Sequence, residues 1–295
     1  MTAKYSFKNF IRNIKFLMKY DLNKQEKYNS SALMELNEEF YRYKVLRSDE
    51  ERLDVLGHKE TVELLLQKPK SFCRFGDGEI DIISGKSIPF QKYDKNLAEI
   101  LLRILSIQIE NLYVGINYNY FYDINKLNNL SKGFYLVNSK KYRDFLLKYC
   151  NRERKYISAG FNQLYAMYSD YDYAQYYGSI KKLFSGKEIV IFAGDGILDK
   201  LEYDVFELAK TKEYISGPKI NAFDKYEELL EKARCVPPRK TLVFILGPCS
   251  KALVYNLTKE GFIAYDVGHL AKDYDAYMRG MEKTDKNIID FCKPD

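Results

Sequence analysis

Ser71-Phe72-Cys73-Arg74-Phe75-Gly76-Asp77-Gly78-Glu79 joins a short apolar run to a helical pattern through a glycine-flanked turn. That is how a strand hands over to a helix when something must approach the backbone closely. Glycine admits conformations that other residues avoid and leaves room for a bulky ligand. Asp77 and Glu79 alternate with Gly76 and Gly78 in this turn. Two carboxylates at a strand tip suit a hard cation such as Mg²⁺ or Mn²⁺, which takes oxygen ligands and often shares them with substrate phosphates. Arg74 would aim a planar fork at phosphate or carboxylate from the same place. The plainer alternative is a tight turn with two solvated acids, because a D-x-E is a weak pattern by itself.

Outward from this turn the chain alternates. Upstream, Glu60–Gln67 is a helix. Downstream come a helix over 94–108, a strand at Leu112–Ile116, a helix near 139–149, a strand at Lys155–Ala159 and a helix from about 162. Lys187–Ala193, Thr241–Leu246 and Ile263–Val267 are further short β-branched or aromatic runs, with helical stretches at 199–210, 222–233 and 249–260 between or beside them. Strands alternating with helices predict an α/β fold, with a mostly parallel sheet covered by helices on both faces.

In such sheets ligands bind beyond the carboxyl ends of the strands. That rule gathers four loops: Arg74–Glu79, Gly194-Asp195-Gly196, Gly247-Pro248-Cys249-Ser250 and Gly268-His269. Gly247–Ser250 opens a helix, so its amides and the helix N-terminus could take a phosphate; an ordinary strand-to-helix turn reads the same way. No P-loop pattern and no G-x-G-x-x-G after a strand is present. His269 stands just past a buried strand, with Asp266 before it and Asp273 after it, where a histidine or carboxylate could act as general base. A histidine held by backbone hydrogen bonds is the alternative. The second histidine, His58, precedes a helix and is expected at the surface. No G-x-S-x-G elbow exists, and Cys73 and Cys249 lack an adjacent base, which disfavours acyl transfer.

Composition narrows the classes further. The 295 residues suffice for one large α/β domain, or a domain plus an extension. A net charge of +6 suits anionic ligands or lipid and is too small to imply nucleic acid. The five cysteines are scattered without a C-x-x-C pair, so neither a disulfide framework nor a zinc site is expected. No apolar run approaches a membrane span and no secretory cleavage pattern opens the chain, so the expected place is the cytoplasm. Residues 4–20 read as a basic amphipathic helix, which either packs on the main domain or lies on the inner, anionic membrane face. Residues 30–47 form a second helical stretch. The expected division is a helical N-terminal extension over 1–55 and one domain over 56–295.

Together these segments resemble the GT-D fold glycosyltransferases, a bacterial family first described as a domain of unknown function. The resemblance covers roughly residues 58–280. It rests on Arg74–Glu79, Pro89–Asp94, Asn138-Ser139-Lys140, Gly217–Tyr226, Leu246–Leu253, Gly261-Phe262 and Asp266–His269, in that order. It implies a Rossmann-like sheet and transfer of a sugar from a nucleotide diphosphate donor, typically UDP-linked, to a growing glycan. It implies Asp77 and Glu79 as ligands of a Mn²⁺ or Mg²⁺ ion near the donor diphosphate. Arg74, Gly76, Gly78, Asn221, Gly247, Pro248 and Ser250 are then the donor-binding set, and Asp273, His269 and Glu79 the catalytic candidates. The acceptor would be a surface or protein-linked glycan, lipid-borne or free, and a homo-oligomer is compatible. Two departures touch the acceptor side: Ala271 and Asp273 stand where the family carries Asp and Glu, and Asn162-Gln163 replaces a Ser-Arg pair. A nucleotide-binding hydrolase or phosphotransferase, and a non-catalytic partner in glycan assembly, are the rival readings.

Overall fold

The computed structural model describes residues 52–293. The expected extension over 1–55, with its basic helix, therefore falls almost wholly outside the described residues. Within them a single eight-stranded sheet runs in the order β1-β4-β3-β2-β8-β7-β5-β6, every pairing parallel. The strands are β1 (Asp54–Val55), β2 (Ser71–Arg74), β3 (Leu112–Ile116), β4 (Lys155–Ser158), β5 (Glu188–Gly194), β6 (Thr211–Gly217), β7 (Thr241–Ile245) and β8 (Ala264–Asp266). Because Asp54 and Val55 already pair with Lys155 and Tyr156, the sheet begins ahead of residue 56.

The helices are α1 (His58–Gln67), α2 (Asp77–Ile83), α3 (Lys95–Ser106), α4 (Asn129–Tyr149), α5 (Leu164–Met167), α6 (Tyr173–Lys182), α7 (Tyr226–Arg234), α8 (Cys249–Lys259), α9 (Leu270–Met278) and α10 (Asp285–Phe291). None of the described helices is long and apolar enough to cross a membrane.

Burial explains the architecture. β5, β7 and β8 are buried along nearly their whole length, as strands covered on both faces must be. The helices present the apolar stripe that does the covering. In α3, Asp94 caps the N-terminus by accepting from the Leu97 amide, and Leu97, Ala98, Leu101, Ile104 and Leu105 are buried. Each large aliphatic side chain of such a stripe contributes about 1.5–3 kcal/mol on burial.

β2 and β8 lie side by side at the centre of the sheet, with Phe72 opposite Tyr265 and their rings stacked at 4.6 Å. An early and a late segment of the domain thus meet there, and the loops that leave them diverge. The candidate site lies at this juncture, where the carboxyl-edge rule expects a ligand.

Several sequence expectations are corrected. The helix expected over 199–210 is a 3₁₀ turn at Leu198–Lys200 followed by turns, and Thr211–Gly217, unassigned in sequence, is a full edge strand. α4 begins ten residues earlier than the helix expected at 139, with Asn128 accepting from Ser131 as its cap. His58, expected at the surface, is buried. Its Nδ1 meets Ser158 Oγ at 2.8 Å and its Nε2 meets Tyr168 Oη at 2.5 Å.

Candidate functional site

At the carboxyl end of β2 the chain turns through Phe75-Gly76 into α2, so that Asp77 is the first helical residue and Glu79 the third. The two carboxylates take different directions. Glu79 Oε2 accepts from the Gly76 amide at 2.8 Å, the backward reach that a glutamate at this position of a helix favours. Its Oε1 lies 3.0 Å from Lys251 Nζ. Glu79 is 8% exposed, with both oxygens turned into the protein. Asp77 is exposed, and the hydrogen bonds it accepts come from the backbone of its own turn. Crowding of the surrounding protein, and then the Glu79 charge, raise its carboxyl above the usual aspartate range.

Lys251, in the first turn of α8, is the centre of a buried ion network. Its ammonium lies 3.0 Å from Glu79, 3.2 Å from Asp266 and 3.2 Å from the Gly247 carbonyl, so all three donors are satisfied. Burial alone would lower its pKa, yet Asp266 and Glu79 raise it on balance and keep the ammonium charged. Asp266, wholly buried at the end of β8, also takes Arg74. The Arg74 amide donates to Oδ2 at 3.0 Å, Nη2 to Oδ1 at 3.3 Å, and Nε to the Asp266 carbonyl at 3.0 Å. Arg74 Nη1 donates to the Ala159 carbonyl at 3.3 Å. Two cations and two anions close on one another across β2, α2, α8 and β8. The guanidinium expected to meet a ligand is spent inside this network.

The remaining sequence candidates divide in the same way. Ser250 is buried and its Oγ accepts from the Leu246 amide at 3.0 Å, pinning the Gly247-Pro248 turn to the start of α8. Gly247 holds φ +54°, a left-handed conformation that favours glycine. Asn221, also left-handed at φ 54°, accepts from the Lys92 amide at 2.8 Å, while its own amide donates to the Phe90 carbonyl at 2.8 Å. The segments around 89–93 and 217–226 are thereby clasped together, and Asn221 acts as the clasp.

Asp273 is fully buried. It accepts from the Tyr165 amide at 3.0 Å, the Ala166 amide at 2.9 Å and Tyr177 Oη at 2.6 Å. Burial still raises its carboxyl to about 6. With its oxygens committed to the start of α5 and no exposure, Asp273 is a capping residue and not a base within reach of an acceptor. His269, half-buried ahead of α9, is the candidate that keeps a solvent-facing part. Its Nδ1 accepts from Gln163 Nε2 at 2.7 Å, and its ring lies 5.8 Å from Phe90. Lys251 was left without a role by the sequence, and Gln163 was noted only as a departure on the acceptor side. The signal for Lys251 was a charge set among the apolar Ala252-Leu253-Val254.

Among the described residues no three carboxylate, histidine or cysteine side chains converge on a metal position. One outward carboxylate, Asp77, fits an ion held jointly by that oxygen, ligand phosphates and water. The inward Glu79 does not fit the paired chelation that the D-x-E pattern suggests. An open depression of about 450 Å³ lies elsewhere, between Asn96, Ile100 and Phe223–Glu228. Its lining carries Asp224, Glu227 and Glu228 against one cation, Lys225, which is itself paired with Glu228 at 3.5 Å, and so suits a diphosphate poorly.

An all-parallel sheet whose central strand ends carry an outward carboxylate and a helix N-terminus defines an α/β domain built to bind a ligand at the parting of its loops. The chain belongs to the glycosyltransferase GT-D fold family, whose model matches residues 72–289. It is 29% identical over 234 residues to the probable glycosyl transferase Gly of Streptococcus gordonii, covering 79% of this chain and 34% of that protein. It is 27% identical over 224 residues to glycosyltransferase GlyD of Streptococcus pneumoniae serotype 4, covering 76% of this chain and 27% of that protein. The chain thus spans about a third or less of the length of these curated relatives. Among solved structures it is similar to the conserved domain of unknown function 1792, described as having a distinct glycosyltransferase fold. The TM-score is 0.74 at 28% identity, over 83% of this chain and 92% of that one. A glycosyltransferase from Streptococcus sanguinis superposes with a TM-score of 0.73 at 25% identity, over 83% and 95% of the two chains.

Proposed function

We propose that this domain transfers a sugar from a nucleoside diphosphate donor, UDP-linked, to a growing bacterial surface or protein-linked glycan. The observation that carries the reading is Asp77: an open carboxylate between two glycines, at the central carboxyl edge of a GT-D sheet. A divalent ion at Asp77, Mn²⁺ or Mg²⁺, would supply charge neutralisation for the leaving diphosphate. The chain's own contribution is positional. The N-terminus of α8 adds the partial positive charge of its first turn. With the Gln163 amide donating to Nδ1, neutral His269 carries its proton on Nε2. It would act there as a hydrogen-bond donor to a developing negative charge.

Purified protein with Mn²⁺ and a panel of UDP-sugars tests this. The expected products are UDP and a transferred or hydrolysed sugar. Asp77→Asn is expected to lower turnover on the order of 10²-fold. Release of UMP or inorganic phosphate instead of UDP would assign the site to a phosphohydrolase. Metal-dependent UDP binding with no turnover of any sugar would assign it to a binding partner in glycan assembly.

A further inference from the structure

We infer that the Asp77–Glu79 pair is divided in role. Asp77 alone meets the ligand, and Glu79 is a latch held by Lys251, which makes Lys251 a positioning residue for Asp77. The inference rests on the donor reading for what Asp77 meets, and on the geometry of this chain for the latch.

The argument begins with what each group would lose. Were Glu79 to turn outward toward a cation, the Gly76 amide would lose its 2.8 Å acceptor. Lys251, 4% exposed, would keep only Asp266 and one carbonyl. A buried charge stripped of a partner is strongly destabilising, whereas the same group fully paired is tolerated. The network is also balanced: Arg74 and Lys251 face Glu79 and Asp266, so no charge is left over to favour release of Glu79. Asp77 shows the opposite condition. It is exposed, and the hydrogen bonds it accepts come from the backbone of its own turn. An arriving cation gains by neutralising Asp77 and loses by unpairing Glu79. Holding Glu79 fixes the Gly76 amide and the first turn of α2, and so the direction in which Asp77 points.

Four variants separate the roles: D77N, E79Q, K251M and the double variant E79Q/K251M. Two readouts are used: thermal unfolding, and Mn²⁺ affinity in the presence of UDP, followed by the spectrum of free Mn²⁺. K251M is expected to lower Tm by roughly 10 °C, because it leaves buried carboxylates short of a partner. E79Q on that background should recover at least half of the loss. D77N should leave Tm unchanged or raised, while Mn²⁺ affinity falls by at least about tenfold. E79Q alone should stay within about threefold of the parent affinity, since glutamine still accepts from the Gly76 amide. K251M, measured where it is folded, should shift that affinity by more than threefold, and the added E79Q should return it. A mere packing role for Lys251 would leave it unmoved. Should K251M fail to fold, recovery of folded E79Q/K251M is the equivalent positive result.

The latch is overturned if E79Q loses Mn²⁺ affinity as fully as D77N with Tm unchanged, or if the two Tm losses simply add. It is also overturned if neither Lys251 variant folds while E79Q is stable. If the parent protein binds no Mn²⁺ with UDP, the donor reading fails, and Asp77's part with it. The Tm cycle between Glu79 and Lys251 then decides the latch by itself.

Discussion

Gly268 shows how tightly single residues are constrained at this site. Its φ of +47° is left-handed, and a Cβ placed on it would stand 1.9 Å from Arg74 Nη2 and 2.9 Å from Asn162 Nδ2. The guanidinium that locks Asp266 passes directly over the glycine, so a methyl group meets both a forbidden backbone region and an immobile ion pair. Gly196 provides the comparison: φ is +62°, but the nearest atom to its added Cβ is 3.8 Å away. Gly196→Ala is therefore expected to cost about 1 kcal/mol, from backbone strain only. Gly268→Ala should cost about 2–4 kcal/mol, because Arg74 must also move. Urea unfolding of the two variants measures the difference, and equal losses would refute the close-approach argument. At this scale the sequence was partly legible. Asp77 could be singled out because glycines flank it. The inward turn of Glu79 could not, because its partner Lys251 arrives from a distant helix through tertiary packing.

Whole elements became legible to the extent that their pattern was internal. β5 and β7 read directly from Glu188–Gly194 and Thr241–Ile245, since buried parallel strands are continuous apolar runs. β6 did not. Thr211-Lys212-Glu213-Tyr214 is exposed and charged, as an edge strand must be to stay soluble, and only its pairing with β5 along Glu188–Gly194 makes it a strand. Asp273 is misread from sequence for a related reason. A carboxylate beside a strand-end histidine looks catalytic, yet its partners are the amides of Tyr165 and Ala166, contributed by another element. This gives a prediction at the level of the element. Asp273→Asn removes one of two acceptor oxygens from the start of α5 and should destabilise the fold by about 1–3 kcal/mol. Below its melting temperature the variant should keep the pH profile of any sugar transfer. Disappearance of the acid limb of that profile, with stability unchanged, would restore Asp273 as the base.

Across the molecule, the two halves of the sheet meet at β2 and β8, and the site was legible as a set of loops because the carboxyl-edge rule needs only strand order. The charges that hold those halves together were not. Two buried groups outside the ion network make the fold respond to pH in opposite senses. His58, enclosed by Ser158 and Tyr168, has its pKa lowered by burial from 6.5 to about 4. The unfolded chain therefore binds the proton first, and the stability His58 contributes is lost as pH falls from 6.5 toward 4. Asp273, raised by burial from 3.8 to about 6, makes the folded chain the better proton acceptor, so stability rises as pH falls through that window. The two nearly offset between pH 4 and 6. His58→Gln removes one side of the balance. At pH 7 it should be destabilised by the loss of a paired buried histidine. By pH 4.5 that deficit should shrink by about 2–3 kcal/mol, since the parent then carries the cost of an unprotonated imidazole and the variant does not. Chemical denaturation of both proteins at pH 7 and 4.5 tests this. A deficit that is constant across the two pH values would mean that His58 titrates normally in the fold, against its enclosure.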